Sequence, residues 1–266
     1  METPVSYGDL AVCSLLILLN AGLSLALRLG LARSLLVAAV RVVLQLSLVG
    51  MVLKSVFALQ SPWLVAVVAL LMLGSASYEI HSRQQRRLRG LWGFGIGALT
   101  VTLAAVVAAT LALAVLRPVP WWAPQVLIPM VGLVLGNVMN GISVTLNAFT
   151  SAVVRERSSI EARLALGATR RVALGTLQRN ALQSGMIPII NQMSAAGIIT
   201  LPGMMTGQIL AGMPPFEAAK YQILVLLVLA GGAGLGAIGV SYWAVSRVTD
   251  GRDRLRLDRL AASRRD

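Results

Sequence analysis

Residues 91–116 read LWGFGIGALTVTLAAVVAATLALAVL and contain no charged side chain. An apolar run of about 18 residues or more is long enough to cross a bilayer as an α-helix. The chain has several such runs, and 57% of its 266 residues are hydrophobic while 12% are charged. Soluble domains carry about twice that share of charge, and the strands of membrane barrels alternate in polarity over about 10 residues. The sequence therefore predicts an all-α polytopic membrane protein.

The apolar runs predict about seven transmembrane helices. Their expected positions are residues 8–28, 34–53, 62–79, 91–116, 124–152, 181–201 and 217–246. Pro62 suits the first turn of the third helix, where a missing N–H costs nothing. The whole chain, residues 1–266, is thus expected to be one membrane domain. It would carry a cytoplasmic segment at residues 152–180 and a basic cytoplasmic tail at residues 247–266.

The basic residues indicate how the chain is oriented in the membrane. Most of the 23 lysines and arginines follow the first, third, fifth or last span. Loops rich in these residues face the cytoplasm, so the N-terminus is expected outside and the C-terminus inside. The formal net charge of +13 therefore reflects membrane orientation, and no nucleic-acid partner is expected.

The residues available for chemistry exclude several classes of protein. Cys13 is the only cysteine and His81 the only histidine, which excludes an internal disulfide and a multi-histidine metal site. Carboxylates near the spans are few, so a closed all-carboxylate iron site within one subunit is not expected, although a site across a dimer axis stays open. The sequence also lacks paired acids or a Ser/His/Asp set, which opposes a membrane-embedded hydrolase. The phosphate loop G-x-x-x-x-G-K-[ST] is absent as well. We expect a transport subunit with no cofactor of its own, driven by a partner or by an ion gradient.

The longest cytoplasmic connection contains a charged segment, RERSSIEARLALGATRR, at residues 155–171. Ser158 and Glu161 have the Ser-x-x-Glu spacing of a capping box, which predicts a helix beginning at Ser158. Gly167 suits the end of that helix, and Gly175 with the arginines around it predicts a second short helix. The pattern fits either an ordinary amphipathic surface hairpin or a docking element for another protein.

Glu161-Ala162 followed by Gly167 resembles the opening of the coupling loop of ABC transporter permeases, with Arg163 in place of the usual second alanine. A more specific resemblance lies in NQMSAAGIITLPGMMTGQILAGMPPFEAAKYQI at residues 191–223. RVVLQLSLVG at residues 41–50 and PMVGLVLGNVMNGISVTLN at residues 129–147 add to it. These segments resemble the FetB-type ABC permease family, the iron-export permeases, to which plant aluminium-tolerance membrane subunits are similar.

The resemblance implies a membrane subunit, present as a homodimer, that works with a separate ABC ATP-binding subunit carrying ATP and Mg²⁺. It also implies the bacterial inner membrane and export of iron or a related metal ion. An ABC permease for a nucleotide sugar or another organic anion stays open, as does, more remotely, a gradient-driven carrier without an ATPase. The residues expected to couple to the ATPase are Ser158, Glu161, Ala162, Gly167, Arg170 and Arg171.

Polar side chains within the spans are the candidates for a transport pathway, because polar groups are costly in hydrocarbon. Each has a structural alternative. Arg41 could instead pair with Glu79 or a carbonyl group, the asparagines of the fifth helix could bond between helices, and the methionines could be adaptable packing. Residues 202–213 could form an outer cap or a re-entrant half-helix. The pathway candidates are Arg41, Gln45, Asn137, Asn140, Asn147, Asn191, Gln192, Met193, Met204, Met205 and Gln208, and no metal ligand is assigned.

Overall fold

The computed structural model describes residues 6–86 and 91–261. Nine α-helices and one short 3₁₀ helix lie in these residues, and no strand is formed within them. The helices are α1 Tyr7–Ala26, α2 Ala32–Leu59, α3 Pro62–Arg83, α4 Leu91–Leu116, α5 Pro124–Arg155, α6 Arg157–Ala165, α7 Arg170–Ala195, α8 Gly203–Leu210 and α9 Pro215–Val248, with the 3₁₀ helix at Leu257–Arg259. Six of them, α1 to α5 and α9, are long and apolar enough to cross a membrane. The predicted all-α polytopic fold is confirmed.

The first of two compact units ends at Ser61 and contains α1 and α2. Helix α1 begins with a capping box: the Ser6 hydroxyl accepts a hydrogen bond from the Gly8 N–H, and the Asp9 carboxylate accepts one from the Ser6 N–H, both at 2.9 Å. A short turn, in which the Leu31 N–H donates to Ser24 Oγ, leads into α2. The two helices pack against each other as a hairpin. Helix α2 has 28 residues and is longer than the predicted span of residues 34–53.

The second unit begins at Pro62 and is built around α5 and α9. Helix α5 packs against α3, α4, α7 and α9, while α9 also packs against α4, α7 and α8. Fully buried Phe149, Ile142 and Val138 of α5 and Leu229 of α9 lie in the core between them. With 32 and 34 residues, these helices are about 48 and 51 Å long. Because hydrocarbon is only about 30 Å thick, their ends extend beyond it.

Small residues allow α5 and α9 to approach closely. A Cβ atom on Gly236 would lie 2.9 Å from Val138 Cγ1 and 3.0 Å from Ile142 Cδ1. On Gly232 it would lie 3.1 Å from the Cβ of Ala108 in α4. The pair Gly232 and Gly236 has the small-xxx-small spacing of close helix packing. The structure uses this pair for packing within the subunit.

Helix α7 corrects the predicted sixth span. It begins at Arg170 and ends at Ala195, whereas the prediction was residues 181–201 preceded by a separate short helix. The expected short helix is the first part of α7. Gly175 does not end the helix, because Ala173 and Leu174 before it and Leu177 after it are buried and hold both sides against the core. Helix α7 is missing from the six candidate spans, since its composition is too polar.

Helix α7 nevertheless runs beside the apolar spans. The Gln178 side chain donates a hydrogen bond to Ser241 Oγ of α9 at 3.1 Å. About two turns further along α7, Met186 Cε lies 3.6 Å from the position of a Cβ atom on Gly234, also in α9. The two helices are therefore antiparallel neighbours over this stretch.

Candidate coupling surface and transport pathway

Helix α6 follows α5 after the single residue Glu156. The predicted capping box is wrong: Ser158 lies within the first turn of α6, and the N-cap residue is Glu156, which makes no side-chain cap hydrogen bond. The reason is that α5 continues as far as Arg155, beyond the predicted residue 152, and leaves no loop before Ser158. The Glu161 carboxylate instead accepts a hydrogen bond from Arg157 Nε at 2.8 Å.

The end of α6 agrees with the prediction for Gly167. Its φ is +88°, in the left-handed region that glycine adopts without strain. The Gly167 N–H donates to the Leu164 carbonyl group and the Ala168 N–H to that of Arg163, both at 3.0 Å. These two bonds form a Schellman motif, which ends a helix sharply.

Helix α6 is fixed to the body of the unit. Ile160 is buried in the main core, and Arg163 Nη1 lies 3.5 Å from the Ala173 carbonyl oxygen of α7, which accepts its hydrogen bond. Arg170, at the start of α7, lies 3.8 Å from an Asp253 carboxylate oxygen. A force applied to α6 would therefore be transmitted directly to α5 and α7.

The exposed tip of this segment contains a residue that the sequence analysis missed. Leu166, directly before Gly167, is 89% exposed, and Val172 in the first turn of α7 is 67% exposed. Exposed Ala162 and Arg171 belong to the same segment. Large apolar side chains that are exposed between arginines are typical of a protein contact surface. We call Leu166, Val172 and the residues between them the coupling tip.

The predicted basic tail is folded as far as the structure describes it. Leu260 is buried in the core, and Arg259 Nη1 donates to the Arg247 and Thr249 carbonyl groups at the end of α9. The Arg254 and Arg252 N–H groups donate to the Asp250 carboxylate, and the bond from Arg254 contributes most to lowering the pKa of Asp250. The tail arginines Arg264 and Arg265, like Arg87 and Arg89 of the loop after α3, lie outside the described residues.

The asparagines of α5 fall into two environments. Asn140 is exposed and Asn137 half-buried on the open face of the helix, where Asn137 donates to the Leu133 carbonyl group. Asn147, by contrast, closes the end of α3: its Oδ1 accepts a hydrogen bond from the Gln85 N–H at 3.0 Å, and its Nδ2 donates to the Arg83 carbonyl group at 3.3 Å. Both hydrogen bonds of the Asn147 amide go to the end of α3 and the loop after it. Asn137 and Asn140 are therefore better placed than Asn147 to line a pathway.

This difference predicts opposite results for two substitutions in α5. Asn147→Leu removes two hydrogen bonds and leaves the Gln85 N–H and the Arg83 carbonyl group without their partner, at an expected cost of about 1–3 kcal/mol of unfolding free energy. Asn140→Leu places an apolar group at an exposed position and should leave stability unchanged. Thermal unfolding of both purified variants in one detergent checks this, and equal stability would contradict the role given to Asn147.

The last turns of α7 and helix α8 contain six further pathway candidates. Asn191, Gln192 and Met193 are exposed in the last turns of α7. Met204, Met205 and Gln208 lie in α8, which packs against α9. Gln208 Oε1 is buried and accepts no hydrogen bond from the described residues.

The first unit contains the other two pathway candidates. Arg41 and Gln45 lie four residues apart on α2, and both are exposed. The Glu79 carboxylate, proposed as a partner for Arg41, accepts a hydrogen bond from Arg83 at 2.9 Å within α3. Residues 6–86 and 91–261 contain no group of three His, Cys, Asp or Glu side chains arranged to hold a metal ion.

Comparison with known proteins places this architecture in a family. The family model described as "Uncharacterised protein family (UPF0014)" matches residues 7–249. No solved structure matches the chain.

Three curated relatives illustrate the range of the family. The UPF0014 membrane protein slr1647 of Synechocystis is 38% identical over 71% of this chain and 73% of its own length. The probable iron export permease protein FetB of Escherichia coli is 29% identical over 94% of this chain and 95% of its own length. The UPF0014 membrane protein STAR2 of Oryza sativa is 35% identical, with 83% of this chain and 75% of the relative covered. With a family match over almost the whole chain, this polytopic membrane protein belongs to the UPF0014 family.

Proposed function

We propose that this chain is the membrane subunit of an ABC transporter that exports iron or a related metal ion and is driven by a separate ATP-binding subunit. Two copies of the chain would pair with two copies of the ATPase in the bacterial inner membrane, with the N-terminus outside and the C-terminus in the cytoplasm. The observation that carries the proposal is the coupling tip: a rigid, exposed element between two spans, on the side where most arginines lie.

The physical requirement for such an element is mechanical. ATP binding closes two ATPase subunits, and this movement has to reach the membrane helices through a part that does not bend. Helix α6 satisfies the requirement because buried Ile160 anchors it to the core and α5 continues into it after Glu156. The exposed Leu166 supplies an apolar anchor for a pocket on the ATPase, since buried apolar anchors dominate the energy of protein interfaces.

The names of two relatives support the substrate. FetB of Escherichia coli is a probable iron export permease, and a relative in Arabidopsis thaliana, 31% identical over 87% of this chain, is called ALUMINUM SENSITIVE 3. One name contains iron export and the other contains aluminium, and both are consistent with a metal ion as the solute. The described residues of one subunit contain no cluster of metal-binding side chains, so the ion would be held weakly during transport, by groups from both copies.

A second candidate substrate is an organic anion such as a nucleotide sugar. The described part of α7 carries neutral amides and arginines but no carboxylate, a composition that favours anions over free cations. Both candidates keep the ATPase partner, so they differ in the solute and not in the mechanism.

Flux in inverted membrane vesicles separates these alternatives. Vesicles that contain both subunits should accumulate Fe(II) when ATP is supplied and should accumulate none with a non-hydrolysable ATP analogue. Excess Mn(II), as a related metal ion, should compete, whereas excess UDP-glucose should not. ATP-dependent uptake of UDP-glucose without uptake of Fe(II) would replace iron with the organic anion, and Fe(II) uptake that persists without the ATPase would overturn the proposal.

A further inference from the structure

The chain continues after α9 as a short hairpin that folds back onto the second unit. The Asp250 N–H donates a hydrogen bond to the Arg254 carbonyl group at 3.0 Å, and the Arg256 N–H donates to that of Val248 at 2.7 Å. Three leucines that follow this turn lie in the core or pack against it: Leu255, Leu257 and Leu260. We call residues 249–260 the tail segment. Its fold makes it a fixed part of the unit.

The tail segment lies beside the coupling tip. An Asp253 carboxylate oxygen lies 3.8 Å from Arg170 Nε, and Arg170 belongs to the coupling tip, which extends from Leu166 to Val172. The tail segment and the coupling tip are therefore neighbours on one surface of the second unit. A protein that covers the coupling tip from this side also reaches the tail segment.

This surface lies beyond the apolar part of α9. The guanidinium carbon of Arg247 lies 4.9 Å from the centroid of the Trp243 ring in the last turns of that helix. Tryptophan rings of spanning helices are enriched at the level of the lipid headgroups. Thr249 follows Trp243 by six residues, which is about 9 Å along the helix axis. The tail segment is thus placed to meet a partner in the aqueous phase.

The two neighbouring segments have more positive than negative charge. Residues 155–171 and 250–259 contain nine arginines and five carboxylate side chains. All five carboxylates are already engaged within the chain: Glu156 with Arg155, Glu161 with Arg157, Asp253 with Arg170, Asp258 with Arg256, and Asp250 with the N–H groups of Arg252 and Arg254. Three exposed arginine side chains are present in addition to these side-chain pairs: Arg171, Arg252 and Arg254. The surface therefore has positive charge that its own carboxylates do not neutralise.

We propose that the tail segment is a second docking element for the ATP-binding subunit, and that this subunit presents carboxylate groups to Arg171, Arg252 and Arg254. The inference rests on the proposed function, which supplies the ATP-binding subunit and the cytoplasmic side. Covering an arginine without a counter-charge is unfavourable, whereas a carboxylate accepts two parallel hydrogen bonds from its guanidinium group. The acidic face of the partner would surround the pocket for Leu166, as a polar rim surrounds an apolar core in protein interfaces.

The tail segment gives the partner a connection to α9 as well. Arg259 Nη1 donates to the Arg247 and Thr249 carbonyl groups at 3.0 and 3.3 Å, which joins the tail segment to the end of that helix. The coupling tip connects to α5 and α7. A partner bound to both elements therefore holds both long helices of the core, α5 and α9.

The test reverses two charges on the tail segment. Arg252→Glu with Arg254→Glu would oppose carboxylates to an acidic face, so the amount of ATP-binding subunit that copurifies with the tagged chain should fall about tenfold. Both arginines bind Asp250 through main-chain N–H groups, which the substitutions keep. Lys54→Glu with Lys220→Glu makes the same change in net charge at two exposed lysines outside these segments and should retain the partner. Thermal unfolding of both double variants checks that they are folded.

Salt provides a second measurement on the wild type. Raising the NaCl concentration from about 0.1 M to about 1 M shortens the screening length from about 10 Å to about 3 Å. Copurification from the wild type should fall over this range, and it should fall less for the charge-reversed tail, because the attraction that salt screens is already lost.

Each outcome decides the inference. Equal copurification by the wild type and the charge-reversed tail would overturn it and leave the proposed function in place, and so would equal losses in the tail and control variants. Anionic phospholipid is measured in the same samples. If the charge-reversed tail loses lipid but keeps the ATP-binding subunit, the tail segment contacts the membrane and the inference fails. Absence of any ATP-binding subunit from the wild-type sample would overturn the proposed function and the inference with it.

Discussion

Gly185→Ala is expected to destabilise the protein, whereas Gly175→Ala in the same helix is expected to stabilise it slightly. A Cβ atom on Gly185 would overlap Thr145 Oγ1 and lie 2.9 Å from the Gly141 carbonyl oxygen of α5, a backbone atom that cannot rotate away. A Cβ atom on Gly175 would have no neighbour within 4 Å among the described atoms. Overpacking costs about 1–3 kcal/mol, while alanine in place of glycine gains about 0.5–1 kcal/mol within a helix.

The measurement is thermal unfolding of the two variants and the wild type in one detergent. The melting temperature should fall for Gly185→Ala and rise or stay level for Gly175→Ala. Thr145→Ala added to Gly185→Ala removes one of the two clashes and should restore part of the loss. If both single variants melt at the same temperature, α5 and α7 do not pack as closely as described.

Leu166→Asp is expected to reduce binding of the ATP-binding subunit by about tenfold or more, the effect of losing a central apolar anchor at an interface. Leu166 is 89% exposed, so the substitution should leave the stability of the chain itself unchanged. Ile198→Asp is the matched control, because Ile198 is also 89% exposed but follows the opposite end of α7. The amount of ATP-binding subunit that copurifies with each tagged variant measures the effect.

The control defines what would contradict this prediction. If Ile198→Asp reduces copurification as much as Leu166→Asp, the coupling tip has no special role in binding. If neither variant reduces it, the ATPase binds elsewhere on the chain. Leu166→Met, which keeps an apolar side chain of similar volume, should retain the partner.

The sequence identified the apolar helices well because composition alone determines where they lie. The run at residues 91–116 agrees with α4, and the predicted starts at Pro62 and Pro124 agree with α3 and α5. It misplaced α7: the predicted span was residues 181–201 after a separate short helix, whereas one helix begins at Arg170 and ends at Ala195. The buried residues Ala173, Leu174 and Leu177 lie on both sides of Gly175, and this packing against the core is not visible in the local sequence pattern.

Local patterns had mixed success in and around α6. Gly167 was predicted correctly because its requirement is local: a helix that ends in a Schellman motif needs a residue of positive φ. The capping box at Ser158 failed because its premise, a loop before the helix, depends on where α5 ends. Tertiary contacts determine the exposure of Leu166 and the hydrogen bonds of Asn147 to the loop after α3. Sequence patterns do not predict such contacts.

The central claim is that a separate ATP-binding chain drives this membrane subunit. Its most direct test is to purify the tagged wild-type chain from its native membrane in mild detergents, beside Glu161→Lys, and to identify by mass spectrometry what copurifies. We expect an ABC ATP-binding subunit with the wild type, and less of it with the variant, in which a lysine would repel Arg157 on the coupling segment. The absence of any ATP-binding subunit from the wild-type sample in all detergents would contradict the account and favour a carrier driven by an ion gradient.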